Sequence, residues 1–437
     1  MNITVIGLGY LGTTHAVAMA QLGHNVIGIE PNEARVADLA VGKLPFYEPG
    51  LQEALTEAIA SGRLSFASQH GEASKSASVH FLCVGTPQSA DSNRADTSYL
   101  YSAIEALVPV LSEDAVIAGK STVPVGTAAA LSEHASKLAG HSVRLAWNPE
   151  FLREGTALQD SLAPDRIVLG VAEEHAERVL REFYAPITAN GTPLLTTDLP
   201  TAELVKVAAN SFLATKISFI NAVAEVAEAA GADAVKLAEA IGLDERIGSK
   251  FLRNGVGYGG GCLPKDVRAF IGRAQELGVA SAADFLHDVE SINDRRRIRV
   301  VTLGREMLGD LAGKRVLILG AAFKPDTDDL RESPAIKIAE LLESEGAKIV
   351  MHDPMALPAL AKLNLGWDGP ADVRDAAEGA DLVVLATEWK QYRQLDPAVL
   401  GQRVASKNLI DGRNALDLAN WQAAGWHVNA LGRSLKN

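Results

Sequence analysis

The chain reads as an α/β protein: two Rossmann-like, doubly wound parallel-sheet domains joined by a helical central domain. Three observations predict this. Short apolar segments alternate with helical ones through the first part of the chain. The stretch Thr201–Ala230 then runs for 30 residues with neither glycine nor proline. From Arg315 the alternation of strand and helix resumes. Alternating elements imply βαβ units and a parallel sheet. The boundaries that follow are 1–197, 198–300 and 301–437.

In the first segment, Asn2–Gly7 (NITVIG) is an apolar strand, Leu11–Leu22 a helix and Asn25–Glu30 (NVIGIE) the next strand. Val79–Val84, Ala115–Gly119 and Val143–Ala146 are further buried strands. Continuous apolar strands suit a sheet covered on both faces. As a helix, Thr201–Ala230 would be about 45 Å long. A second helical stretch covers Ala282–Leu308, and the glycine-rich Gly255–Gly261 lies between the two. In the third segment Arg315–Gly320 (RVLILG), Lys348–His352 and Asp381–Thr387 read as strands and Pro334–Ser344 as a helix.

Composition narrows the function. The 437 residues are 47% hydrophobic and 22% charged, ordinary for a globular protein. The net charge of −13 leaves no broad basic footprint for nucleic acid. Arg295, Arg296 and Arg297 are the one cationic run. An anionic ligand therefore needs a site built locally from Lys, Arg and helix N-termini. Two cysteines, Cys83 and Cys262, make no disulfide framework and fit a reducing, cytoplasmic setting. With no stretch of 18 apolar residues, no membrane partner is expected. No metal-binding pattern stands out either.

Gly7, Gly9 and Gly12 form G-x-G-x-x-G directly after the first strand. The first glycine allows the tight turn. The second lets a pyrophosphate approach the backbone, and the third lets helix and strand pack closely. Glu30 ends the second strand 18 residues after Gly12. An acid there accepts hydrogen bonds from a ribose and repels a 2′-phosphate, so NAD is favoured over NADP. The third segment has a lone glycine at its first strand end, Gly320. Its loops instead offer Lys324, Arg331 and Arg413 to a phosphate group; taken singly, each is equally a solvated surface charge.

Cys262 stands in GYGGGCLPKD (Gly257–Asp266). Pro264 suits a first helical turn, and a helix N-terminus beside Lys265 favours thiolate. The glycines are expected to leave room for a bulky substrate against the backbone. Cys83, in an apolar strand, reads as inert core. Lys206 and Asn210 share a helix face, and Glu150 and Glu154 are also four apart. Spacing does not decide between functional clusters and a solvated helix face or a capping acid.

KSTVPVGT (Lys120–Thr127), NPEFLREG (Asn148–Gly155), the KVAAN stretch ending at Asn210, GGGCLPKD and AFKPDTDDLRES (Ala322–Ser333) stand in one order. In this the chain resembles the UDP-glucose/GDP-mannose dehydrogenase family over essentially its whole length. The resemblance implies oxidation of a nucleotide sugar to its uronate with two NAD⁺, through a thiohemiacetal and thioester on Cys262. It implies that Lys206 and Asn210 stabilise oxyanions, with Asp266 and a water nearby. Glu154 assists hydrolysis and proton transfer, while Thr122 holds that water and the cofactor. NAD contacts would come from Gly7, Gly9, Tyr10, Leu11, Gly12, Glu30, Arg35, Thr86, Thr122, Glu154, Lys265 and Arg331.

On the same resemblance, Glu150, Phe151, Leu152, Arg153, Glu154, Lys206, Asn210, Phe251, Leu252, Arg253, Tyr258, Gly259, Cys262, Phe323, Lys324 and Arg413 line the UDP-sugar site. Arg246 would reach it from the neighbouring subunit of a homodimer. Glu30 stands where the family commonly has Asp, and Gly261 and Leu263 where it frequently has Ser and Phe. The catalytic residues are shared by enzymes for UDP-glucose, GDP-mannose and UDP-N-acetylhexosamines. UDP-glucose is the expected substrate and the others are alternatives.

Overall fold

The strand at the head of the chain organises everything before residue 198. The computed structural model describes residues 1–89, 93–367 and 369–433. These divide into two compact units, Met1–Ala209 with Arg268–Ala280 and Asn210–Val267 with Ser281–Asn437. The three divisions fall inside the long helix Leu199–Ala230, inside the helix Leu263–Glu276 and inside the short 3₁₀ turn Ala280–Ala283.

The first unit holds eight strands: β1 (Asn2–Ile6), β2 (Asn25–Ile29), β3 (Leu64–Ala67), β4 (Val79–Leu82), β5 (Val116–Gly119), β6 (Arg144–Trp147), β7 (Ile167–Gly170) and β8 (Leu194–Thr197). Their order is β3-β2-β1-β4-β5-β6-β7-β8. Every residue of β4, β5 and β7 is buried, as a sheet covered on both faces requires. The chain direction of winding reverses between β1 and β4, the crevice where doubly wound sheets bind ligands. The sheet is not wholly parallel: β6 and β7 run antiparallel through Trp147 and Gly170. Their connection carries only the six-residue helix Ala157–Leu162, short of the crossover helix typical of a parallel pair.

Helix formation in the first unit follows the glycines. Gly7 has φ +87°, and Gly9 caps the helix Tyr10–Gln21 without a side-chain hydrogen bond. A Cβ on Gly12 would lie 1.8 Å from the Gly7 carbonyl oxygen, whereas one on Gly9 meets nothing within 4 Å. The helix is sunk into the core, burying every residue from Gly12 to Ala20.

The second unit is built on β9 (Arg315–Leu319), β10 (Lys348–His352), β11 (Leu382–Leu385), β12 (Asn408–Asp411) and β13 (His427–Ala430), all parallel in the order β10-β9-β11-β12-β13. The helix Pro334–Ser344 starts where Ser333 Oγ accepts from the Ala335 amide. Val300, Val301 and Leu303, on the helix Phe285–Leu308, join the sheet's core. The arginine run belongs to this framework. Arg296 is wholly buried with its guanidinium 3.2 Å from Glu228, whose carboxylate also accepts from the Gly432 amide. Burial pushes Glu228 up, but that amide and the guanidiniums of Arg296 and Arg299 outweigh it and hold it low.

The long helix is 32 residues and by length and composition apolar enough to cross a membrane. Glu203, Lys206, Asn210, Ser218 and Asn221 along it are all buried, however, and each is paired within the protein. Asn148–Gly155 is not helical, so Glu150 and Glu154 do not share a helix face. The amides that a helix would need are taken by carboxylates: Leu152 N donates to Glu150 and Arg153 N to Asp160.

Gly12→Ala should destabilise the protein by about 1–3 kcal/mol, the usual cost of overpacking. Gly9→Ala, with open space around it, should stay within about 0.5 kcal/mol of the parent. Urea titrations followed by circular dichroism check both.

Candidate active site

Glu30 governs the ligand end of the first unit. One carboxylate oxygen accepts from the Leu8 amide at 3.0 Å, the other from the Asn32 amide at 3.2 Å, and Arg35 lies 3.5 Å away. The acid is thereby fixed at the end of β2, beside the glycine turn. The uncapped helix start at Gly9 and the open space around that glycine suit a pyrophosphate. Thr86 Oγ1 donates to the Thr122 carbonyl at 2.7 Å, joining the loops after β4 and β5. Leu11 packs against the core.

Tyr10 donates to Glu48, a buried acid that the sequence reading missed. Glu48 also accepts from the Gly155 and Ala157 amides at 2.7 Å. Burial, together with Glu48, pushes the Tyr10 hydroxyl above its usual range. One carboxylate thus ties the first helix to the segment that carries Glu150 to Glu154.

That segment leaves β6 at Asn148. Glu150 pairs with Lys206 at 2.9 Å, both nearly inaccessible. Phe151 is covered by the Arg166 guanidinium, 3.8 Å from its ring centre, with Lys206 Nζ at 5.7 Å. Arg153 is engaged by Asp160 through Nε at 2.9 Å and a second nitrogen at 2.5 Å. Leu152 and Glu154 sit beside these, half-buried. Glu203 accepts from the amides of Gly126 and Ala128, at the start of the helix after KSTVPVGT. Lys120 is buried, and burial pulls its amine down to about 8.

In the second unit Cys262 is exposed and its carbonyl accepts from the Asp266 amide, opening the helix Leu263–Glu276 with Pro264 in its first turn. Asp266 is buried between Lys265, at 2.7 Å, and the Asn210 amide, at 2.6 Å. Cys83, by contrast, is buried, and its thiol is pushed up to about 12.

The glycine loop departs from expectation. The room beside Gly257, Gly259, Gly260 and Gly261 is filled by the chain itself: Asn293, the Glu332 carbonyl, the Phe323 ring and the Arg331 guanidinium respectively. Asn293 holds the loop by exchanging hydrogen bonds with the Tyr258 backbone. Arg413 braces it too, donating to the carbonyls of Gly257, Phe323 and Ala386. Arg331 is held by Asp329, and Lys324 Nζ stands 5.4 Å from the Phe323 ring. Elsewhere in the unit, Arg246 is exposed and paired with Asp244. Phe251 adopts φ +63°, beside buried Leu252 and exposed Arg253.

In the second sheet Asp353, at the end of β10, accepts from the amides of both Ala321 and Ala322 and from Trp389 Nε1. Among the described residues no group of three or more His, Cys, Asp or Glu is placed to hold a metal ion.

Three family models match in sequence: the NAD binding domain of the UDP-glucose/GDP-mannose dehydrogenase family over residues 1–188, its central domain over 200–295 and its UDP binding domain over 317–418. The chain belongs to this family. It is 38% identical over 440 residues to the UDP-glucose 6-dehydrogenase of Rhizobium meliloti, spanning 99% of this chain and 100% of that one. It is 40% identical over 449 residues to that of Pseudomonas aeruginosa, spanning 99% and 98%. A UDP-glucose dehydrogenase structure from Pyrobaculum islandicum is similar with a TM-score of 0.89 at 38% identity, covering 98% of each chain. The first sheet is therefore part of the NAD binding domain of a dehydrogenase.

With Glu30 fixed beside the turn, NADP⁺ would bring a phosphate against a carboxylate. The enzyme should prefer NAD⁺ by at least about 100-fold in kcat/KM, and Glu30→Ala should narrow the gap by roughly tenfold or more. Steady-state kinetics with both nucleotides measures this.

Proposed function

We propose that this dehydrogenase oxidises UDP-glucose to UDP-glucuronate, a four-electron change at C6. The observation that carries the reading is Cys262, exposed at a helix start whose buried Asp266 is fixed by Asn210 and Lys265. A dehydrogenase stopping at the aldehyde has no use for a nucleophile. The relatives named for UDP-glucose, at 38% and 40% identity, support the substrate. The same chemistry on another nucleotide sugar is the second reading. A UDP-D-ManNAc dehydrogenase structure with TM-score 0.86 at 26% identity supports it, and Gly261 and Leu263, standing where Ser and Phe are frequent, leave the sugar preference open.

NAD⁺, when bound, supplies the hydride acceptor for each oxidation, a role no side chain can fill. Gly7, Gly9, Gly12 and Glu30 would hold it, with Tyr10, Leu11, Arg35, Thr86, Thr122, Glu154, Lys265 and Arg331. The rest is work for the chain. Lys206 and Asn210, one turn apart on a single helix, stabilise negative charge on the C6 oxygen. Cys262 Sγ adds to the C6 aldehyde, forming a thiohemiacetal whose proton is passed through Asp266 and water. Oxidation converts it to a thioester. Water then attacks the acyl carbon with help from Glu154 and Thr122, releasing the carboxylate and restoring the thiol. Glu150 sets Lys206 in place. Phe151 to Arg153, Phe251 to Arg253, Tyr258, Gly259, Phe323, Lys324 and Arg413 are assigned to the sugar nucleotide.

We assign the boundaries 1–197, 198–300 and 301–437 to cofactor binding, catalysis with dimerisation, and UDP binding. The homodimer is supported by Phe212, Phe219 and Val226, exposed by 65, 55 and 68% at seven-residue intervals along one helix. In the dimer Arg246 of each subunit serves the other's site. Neither Cys83 nor Cys262 forms a disulfide, in keeping with a cytoplasmic setting.

Cys262→Ala should fold, bind NAD⁺ and UDP-glucose, and make no UDP-glucuronate. Mass spectrometry of the products decides: uronate from the alanine variant near the parent rate would overturn the covalent route. Phe219→Glu should convert the dimer to monomer in sedimentation velocity, with the parent sedimenting as a dimer.

A further inference from the structure

Lys120 is a buried amine in the first unit that the reaction above leaves without a task. Its side chain is buried, with Nζ 5.9 and 6.0 Å from the ring centres of Phe81 and Tyr184. Burying an ammonium is expensive unless it is paired. Its hydrogen bonds go to neutral groups: the Asn148 side-chain oxygen at 3.0 Å and the Tyr184 hydroxyl at 3.4 Å. Of the titratable groups around it, His15 is held well below its usual value by burial, and Cys83 and Tyr184 are pushed up. None of these three carries negative charge at pH 7. The acid that acts on it is Glu150, with Lys206 as an opposing cation. Glu150, Lys120, Asn148, His15 and Tyr184 all line one cavity of about 50 Å³.

The hydrogen bonds lead to the same place. Tyr184 donates to the same Asn148 oxygen. The Asn148 side-chain amide donates to the Val168 carbonyl at 2.9 Å, and its backbone amide to the Gly119 carbonyl at 2.7 Å. Asn148 is thus clamped between the ends of β5 and β7, two residues before Glu150. We propose that Lys120 is a positioning residue for the oxidation: through Asn148 and its own charge it anchors the Glu150 carboxylate against Lys206. The cavity cation and Lys206 then share one carboxylate, so that Lys206 keeps positive charge to offer the C6 oxygen. The proposal rests on the role given to Lys206 in the reading above.

Lys120→Met keeps the length and removes the charge; Lys120→Arg keeps the charge. For the methionine variant we expect kcat to fall roughly 10- to 100-fold, less than the roughly 100- to 1000-fold lost when an oxyanion donor itself is removed. Its dissociation constant for NAD⁺, measured by calorimetry, should stay within about twofold of the parent, because the glycine turn is untouched. The arginine variant should recover much of the lost kcat. A purely structural lysine would instead lower the melting temperature and leave kcat per folded molecule unchanged, and that result overturns the proposal. If Lys120→Met does not fold, Tyr184→Phe takes its place, removing one donor from Asn148 while leaving Lys120. A several-fold loss of kcat at unchanged NAD⁺ affinity supports the anchor, and an unchanged kcat overturns it. All rates are taken with whichever nucleotide sugar the parent oxidises. Failure of the substrate reading thus shows as no NADH from UDP-glucose with the parent, and failure of this proposal as a variant that matches the parent.

Discussion

A buried polar ladder on one helix is the constraint on which the rest depends. From Glu203 to Glu228, the helix Leu199–Ala230 turns carboxylates, an ammonium, amides and a hydroxyl inward. Buried polar groups must be paired, so each rung fixes whatever it meets. Glu203 fixes the amides of Gly126 and Ala128, and Lys206 fixes Glu150. Asn210 fixes Asp266, Ser218 the Val289 carbonyl, Asn221 the Gly255 amide and Glu228 the Gly432 amide. Lys206 and Asn210, proposed for chemistry, are two rungs of this ladder.

A second rule concerns the loops at the carboxyl ends of strands. Their amides lack strand partners, and buried backbone donors must find acceptors. Here acidic side chains supply them. Glu30 takes Leu8 and Asn32; Glu48 takes Gly155 and Ala157; Asp353 takes Ala321 and Ala322; Asp411 takes Arg413, Ala415 and Leu416. The two sheets differ in what remains. In the first, the helix after the glycines is left uncapped for an anion. In the second, the helix that follows β9 has Ser333 as its cap, its hydroxyl accepting from the Ala335 amide.

The α/β plan was legible in the sequence because its signals are local. Apolar runs such as VLIL, the glycine spacing after β1, and a long stretch without glycine or proline each report on their own residues. β3, β7, β8, β12 and β13 were not read from the sequence. At the candidate site, Cys262 and Pro264 were readable as a helix start. Glu48 and Lys120 were not, because their importance lies in partners about 110 and 30 residues away, Gly155 to Ala157 and Asn148. A lysine directly after an apolar strand was the available clue. The four-residue spacing of Glu150 and Glu154 left their arrangement open, because side-chain carboxylates, invisible to periodicity, capture the amides a helix would need. The glycine loop misled: its missing side chains make room for Phe323 and Arg331 rather than for open space.

The central claim is that one carbon is oxidised twice while it stays attached to Cys262. The direct measurement is the amount of NADH formed per UDP-glucose consumed, taken to completion in the presence of an aldehyde trap such as hydroxylamine. The account predicts two NADH per sugar and no trapped aldehyde. One NADH per sugar, with the six-aldehyde recovered as its oxime, would contradict it.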